Sequence, residues 1–329
     1  MDLKNLNYSN LIFSIAFLFA ARVIYDKYKL NVQKDDRVEE LNIIKKYLLN
    51  ERDNYAIEQL SSIKKPIIWV PIQYDLNARK WASFGSRNST DLNQDYLYLT
   101  IRSIINRCGE DFHVVLIDDD SFGLILEDWT IDLSKLGEAQ KAYFRLLGLV
   151  KVLYKYGGIA IEPSFIVFKS LKPIHDKILD STCMCVAEFP DKSVNSHMMA
   201  FMPSTKFMGC LKGCDQMHAF DNHLQILFSK DYTNGINMEN QINKWLFTHA
   251  RNGHINYIDG AFIGTKDGQN KTIDLERLLS SHYLDLNRKT YALYVPREDL
   301  LKRHCYNWFA NLNTREVLES NTNIGKYCR

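Results

Sequence analysis

Lys151-Val-Leu-Tyr-Lys-Tyr-Gly-Gly-Ile-Ala-Ile-Glu-Pro-Ser164 is the stretch on which the fold turns. It joins the end of a helix to a strand. From Glu138 to Tyr156, Ala, Leu, Val and Tyr lie around much of a helical circumference, and Gly157-Gly158 is a helix stop. Ile159-Ala-Ile-Glu-Pro-Ser-Phe-Ile-Val-Phe168 then reads as strand, turn and strand. Upstream, Ile67-Ile-Trp-Val-Pro-Ile72 is a short continuous apolar run, as expected of a strand buried on both faces. Leu92, Tyr96, Leu99, Ile101, Ile104 and Ile105 recur at helical spacing between Asp91, a candidate cap, and Arg107. His113-Val-Val-Leu-Ile117 is a second buried strand and runs into Asp118-Asp-Asp120. Strands alternating with helices of this length predict an α/β fold with a mostly parallel sheet and right-handed crossovers.

Ligands of such sheets bind outside the carboxyl ends of the strands. Asp118, Asp119 and Asp120 lie at one such end, and Glu162 and Ser164 at another. Adjacent carboxylates repel one another, which leaves two readings of the triple Asp. One is a solvated loop in which Asp120 or Ser121 caps a turn. The other is a polar cluster for a divalent cation or for ribose hydroxyls, since hard cations take oxygen ligands.

The segment 151–164 resembles the signature of the glycosyltransferases with a DXD sugar-binding region, the group that includes yeast initiating mannosyltransferases. There a helix ending in Leu-Tyr-x-Tyr-Gly-Gly is followed by Ile-Tyr-x-Asp-x-Asp. The strand at Lys65 to Trp69 and Leu116-Ile-Asp-Asp-Asp120 resemble the family's opening strand and its nucleotide-side Asp, so the likeness spans roughly residues 65 to 175. The resemblance implies a Rossmann-like nucleotide-sugar transferase fold of the GT-A type. It also implies a nucleotide-sugar donor and Mn²⁺, with Asp118, Asp119, Asp120, Gly157 and Gly158 on the nucleotide side. By the same likeness Glu162 and Ser164 take the metal positions. The departures are specific: the Asp-x-Asp falls on Glu162-Pro163-Ser164, its preceding aromatic on Ala160, and the helix Asp-x-x-Arg on Leu146 and Leu149. Arg145 lies one turn before Leu149 and shares its face, so by the same likeness it is expected to replace the family's Arg in part beside the diphosphate. Glu162 and Arg145 are thus the expected catalytic pair.

Over 329 residues, Lys+Arg 41 against Asp+Glu 39 gives a net charge of +2. No field here gathers phosphate backbones, and nucleic acid is not an expected partner. Seven cysteines at irregular spacing give no disulfide ladder and point to a reduced setting. From Asn5 to Ala21 there is no charge, and Leu11 to Ala21 is almost wholly apolar. This reads as a short membrane anchor; a signal peptide lacks a clean cleavage site here, and a buried or surface-lying helix is the other alternative. One Lys precedes the run and Arg22, Lys27, Lys29, Lys34 and Arg37 follow it, which places the remainder on the cytoplasmic side and leaves the sequons at Asn88 and Asn270 unmodified. The expected organisation is an anchor at 1–30, a helical stem at 31–64 with Val38, Leu41, Ile44 and Leu48 as its stripe, and a glycosyltransferase-like domain at 65–329.

Cys210, Cys214 and His218 would line one face if residues 206–220 were helical, a pattern open to zinc or to core packing. His304 and Trp308 could face a diphosphate. No Gly-Lys-Ser/Thr loop, Gly-x-Ser-x-Gly elbow or His-Glu-x-x-His occurs. Residues 84–99 resemble uncharacterised proteins of large DNA viruses. Two functions follow as expectations: a metal-assisted sugar transferase, or an inactive copy of that fold serving as a membrane-associated structural or virion protein among viral structural partners.

Overall fold

The computed structural model describes residues 8–49, 64–72, 94–180, 182–191, 200–230 and 235–329. They divide into two units, Met1–Lys46 and Tyr47–Arg329. From Tyr8 onward the first unit is helical. Helix α1 runs Tyr8–Tyr47, 40 residues without a Gly or Pro to interrupt it. No break separates the expected anchor from the expected stem. The chain along Phe17 to Tyr28 exposes large apolar side chains, with Phe17 at 74%. Among the described residues, no helix is long and apolar enough to cross a membrane. The expected membrane helix is therefore not found among them, and residues 1–7 of the expected anchor lie outside the described residues. The rest of the expected stem, residues 50–63, lies outside the described residues. So do Asp91, Leu92, Asn88 and residues 84–89.

In the second unit the elements that matter are β1 (Ile67–Pro71), α2 (Tyr96–Cys108), β2 (His113–Ile117), α3 (Ser121–Ile125) and α4 (Glu138–Tyr156), followed by β3 (Gly158–Ile161) and β4 (Phe165–Val167). Beyond them come α5 (Lys172–Asp180), β5 (Met184–Pro190), β6 (Phe201–Cys210), α6 (Asp215–Lys230), α7 (Gly235–Arg251), β7 (Asn256–Ile258) and β8 (Ala292–Tyr294). Six strands form one sheet in the order β2-β1-β3-β6-β5-β7, and β4 pairs with β8 in a second. β1 is parallel to β2 and β3, and β7 is parallel to β5. β6 runs antiparallel between β3 and β5. The expected α/β class and the helix over Glu138–Tyr156 agree with this architecture.

Strand alternation divides the core. Ile67, Trp69, Val115, Ile117, Ala160, Met184, Val186, Met208 and Cys210 share one buried cluster with Leu147, Val150 and Leu153 of α4 and Phe220 and Leu224 of α6. The intervening strand residues Ile68, Val70, Val114, Leu116, Ile159 and Ile161 are equally buried and point to the other face. At the edge beyond β2, Leu49 N donates to Leu116 O at 3.0 Å, so the compact unit starts before residue 65.

The Gly-Gly stop is a backbone necessity. Gly157 has φ +74° and its carbonyl accepts the Trp69 indole N–H at 2.9 Å. Gly158 has φ +103°, and a Cβ there would stand 2.2 Å from Ile67 O. The close approach lets β3 enter the sheet beside β1 directly from α4.

Two sequence readings of the cysteines are corrected. Residues 201–210 are strand, so Cys210, Cys214 and His218 do not share a helix face. Cys210 Sγ donates to Leu153 O at 3.2 Å, and His218 packs on Tyr154 with ring centroids 5.2 Å apart. Cys183 and Cys214 form a disulfide with Cα atoms 5.4 Å apart. The physical reason is the β5–β6 register: Met184 lies opposite Cys210, and Leu211 N donates to Cys183 O at 2.9 Å, so the residues flanking the two strands converge. Burial pushes the Cys185 thiol up to about 12 and that of Cys108 to about 11, so both are inert core groups.

Gly158→Ala should lose about 3 kcal/mol or more of stability, since the left-handed backbone and the Ile67 carbonyl both oppose a side chain. Chemical denaturation of the purified protein measures it.

Candidate functional site

In a sheet ordered β2-β1-β3, the connection after β1 runs to one side and the connection after β2 crosses back to the other, and the crevice of such a fold opens at the carboxyl ends of β1 and β3. A cleft of about 340 Å³ lies there, lined by Pro71 from β1 and by Ile161, Glu162 and Pro163 at the end of β3. One wall is α4, through Arg145, Leu146 and Leu149. Lys206 of β6 and the Arg297–Glu298 pair also line it, as do Glu239 and Asn243 of α7.

The register explains the pairing at its floor. Ile161 lies opposite Phe207, and Glu162 N donates to Lys206 O at 3.2 Å, so Glu162 and Lys206 are cross-strand partners. Lys206 Nζ donates to Tyr294 Oη at 3.1 Å, and Glu298 Oε1 is 3.8 Å away. Tyr294 Oη in turn stands 3.5 Å from Glu162 Oε2, and Ser164 Oγ donates to the same oxygen at 3.3 Å. Burial alone would lower the Lys206 pKa, but Tyr294, Glu162 and Glu298 outweigh it and hold it above the ordinary value. Burial and Glu162 raise Tyr294, against the pull of Lys206. At neutral pH the floor therefore holds an ammonium hydrogen-bonded to a neutral phenol.

The structure brings together only part of the set expected from sequence. Glu162 and Arg145 both line the cleft. Arg145 is anchored by a two-point pair with Asp119, Nε to Oδ1 at 2.6 Å and Nη2 to Oδ2 at 2.7 Å. Asp118 Oδ1 accepts from Ser121 N at 3.0 Å and from its hydroxyl at 2.7 Å, and Asp120 occupies the position before α3. None of the three Asp residues is part of the cleft lining, and neither are Gly157 and Gly158. Asp118 therefore holds a turn, while Asp119 reaches the cleft through Arg145. His304 and Trp308 also lie outside the lining.

Sequence reasoning missed Lys206, Tyr294, Arg297 and Glu298. Lys206 carried a signal: in a strand it shares a face with Met208 and Cys210, both fully buried, and a lone lysine in line with core residues needs a partner.

A Mn²⁺ ion takes several oxygen ligands, preferably charged. At the expected metal positions there is one carboxylate, and one of its oxygens already faces two hydroxyl groups. Ser164 is 0% exposed, turned from solvent into the core. Among the described residues, no three His, Cys, Asp or Glu side chains are grouped to hold a metal. The donor set does not fit the ion.

No family model matches the chain, and no curated protein matches it. Among solved structures it is similar to the PaToxG glycosyltransferase, at 12% identity and a TM-score of 0.33, over 67% of this chain and 80% of that one. It is also similar to 4-diphosphocytidyl-2C-methyl-D-erythritol synthase from Anaerococcus prevotii DSM 20548, at 11% identity and a TM-score of 0.32, over 65% and 92% of the two chains.

Ser164→Asp tests the metal positions directly. A carboxylate placed in that buried spot beside Glu162 should lower stability by about 3 kcal/mol or more, and millimolar Mn²⁺ should not restore it. Melting curves with and without the ion read the outcome.

Proposed function

We propose that this cleft binds a nucleotide-sugar donor and that the protein is glycosyltransferase-like. The observation that carries the reading is the meeting of Lys206, Arg145 and Glu162 at the carboxyl ends of β1 and β3. A diphosphate needs cations fixed in place, and Arg145, Lys206 and Arg297 offer them there beside the carboxylates Glu162, Glu239 and Glu298. In transfer, the bond from the anomeric carbon to the distal phosphate oxygen breaks and a bond to an acceptor oxygen forms. The nucleoside diphosphate leaves with the added negative charge and the acceptor hydroxyl releases its proton. Arg145 is suited to that charge because Asp119 holds the Nε–Nη2 edge of its guanidinium and so fixes its orientation. The apolar wall of Leu146, Leu149 and Ile242 suits the flat, less polar parts of a nucleotide.

A second reading is favoured by the same site and by α1. With a single carboxylate at the former Asp-x-Asp, the fold serves as an inactive copy with a structural role, as on a virion. The exposed apolar side chains between Phe17 and Tyr28 would then rest on a membrane surface or a viral structural partner.

Calorimetric titration of the full chain with UDP-sugars and GDP-sugars separates the outcomes. Donor binding is expected, and Arg145→Ala should weaken it about tenfold or more, as loss of a charge-assisted contact does. Binding with release of nucleoside diphosphate supports the transferase; binding without turnover of any offered acceptor supports the inactive copy. No binding of either donor class defeats the proposal.

A further inference from the structure

We propose that Lys206 is the built-in cation of the cleft, contacting the diphosphate of the ligand in place of a divalent metal ion, so that nucleotide binding needs no metal. This rests on the nucleotide-binding reading above and names how that site does it.

Three observations converge on Lys206. First, its position is set by the backbone: the β3–β6 register puts it across from Glu162, the last residue before the chain turns away at Pro163. Its side chain is only 19% exposed, yet it lines the cleft. Second, its surroundings are those of a fixed charge. The ammonium has three donors. One goes to Tyr294 Oη at 3.1 Å, and the nearest Glu298 oxygen, at 3.8 Å, is beyond hydrogen-bond length. The Tyr294 ring also faces the ammonium, 5.6 Å from its centroid. Third, the neighbouring carboxylate is ill-suited to a metal. Glu162 Oε2 is turned to Ser164 Oγ and Tyr294 Oη, and its negative charge favours the ammonium of its cross-strand neighbour without pairing with it directly.

These roles predict opposite signs for one substitution. If Lys206 is the cation, Glu162 competes with phosphate for it, and removing the carboxylate charge improves phosphate binding. If a divalent ion is the cation, Glu162 is its ligand, and removing the charge abolishes binding.

The experiment is titration of the full chain with UDP and with GDP, in EDTA and in millimolar Mn²⁺. Expected are affinities within about twofold of each other in the two conditions, tighter binding by Glu162→Gln, weakening by about tenfold or more in Lys206→Met, and substantial retention in Lys206→Arg. Glu162→Gln keeps shape and hydrogen bonds, so it answers the question even if Lys206→Met does not fold. Binding that appears only with Mn²⁺, or that is lost in Glu162→Gln, overturns the role of Lys206 while the nucleotide cleft stands. Absence of binding by UDP and GDP in both conditions removes the nucleotide reading itself, and the role of Lys206 falls with it.

Discussion

The close approach of Gly157 and Gly158 to β1 is the constraint on which the rest of the structure depends. The Trp69 indole donates to the Gly157 carbonyl, and the Gly158 Cα lies where any side chain would strike the Ile67 carbonyl. A buried indole N–H left without that acceptor would cost about 1–3 kcal/mol. Both glycines have positive φ, so the chain reverses out of α4 within two residues and enters the sheet with no connecting loop. β3 is thereby held against β1, with Ile68 opposite Ile159 and Trp69 opposite Ala160.

From that pairing the position of the cleft follows. β1 becomes the strand flanked on both sides by parallel neighbours, and the residues at its carboxyl end and that of β3 border one crevice. α4 is fixed over the same face by Leu147, Val150 and Leu153, which turns Arg145, Leu146 and Leu149 toward the opening. Asp119, at the end of β2, then reaches Arg145 on α4. A carboxylate at one strand end thus orients a cation at the mouth of the next.

Much of this was legible in the sequence, for physical reasons that differ by element. The strands His113–Ile117 and Ile67–Pro71 are continuous apolar runs, and the helix Glu138–Tyr156 is bounded by a glycine pair, so pattern alone located them. Glu162 is legible because it sits one residue past a strand, whereas Arg145 is reached through the likeness to the family's helix Asp-x-x-Arg. Asp118, by contrast, reads identically as a turn cap or a ligand until its bonds to Ser121 are seen. Lys206 was hidden by a wrong period. Cys210, Cys214 and His218 suggested spacing by four, whereas Met208 and Cys210 belong to a strand with spacing by two. Tyr294 and Glu298 come from a distant segment, and no local pattern joins residue 294 to residue 162. The Cys183–Cys214 bridge escaped for the same reason, since it depends on the register of β5 against β6.

The electrostatics of the cleft form a consistent set without an imported ion. Two carboxylates that share a metal repel each other whenever the metal is absent, and one must gain a proton or the fold must bear the strain. Here the second position is Ser164, whose backbone carbonyl accepts Val295 N at 3.0 Å as the chain passes toward the β4–β8 pair. That placement, fully buried between the two sheets, suits a hydroxyl and excludes an unpaired charge. The remaining carboxylate, Glu162, lies across the strand pair from Lys206, and with Glu298 it offsets the ammonium charge, so charge balance at the floor is set by the chain itself. Such a pair keeps its geometry in the empty cleft, whereas a metal site is assembled only when the ion arrives. In the proposed role, an incoming diphosphate would meet an ammonium whose desolvation cost has already been met in folding.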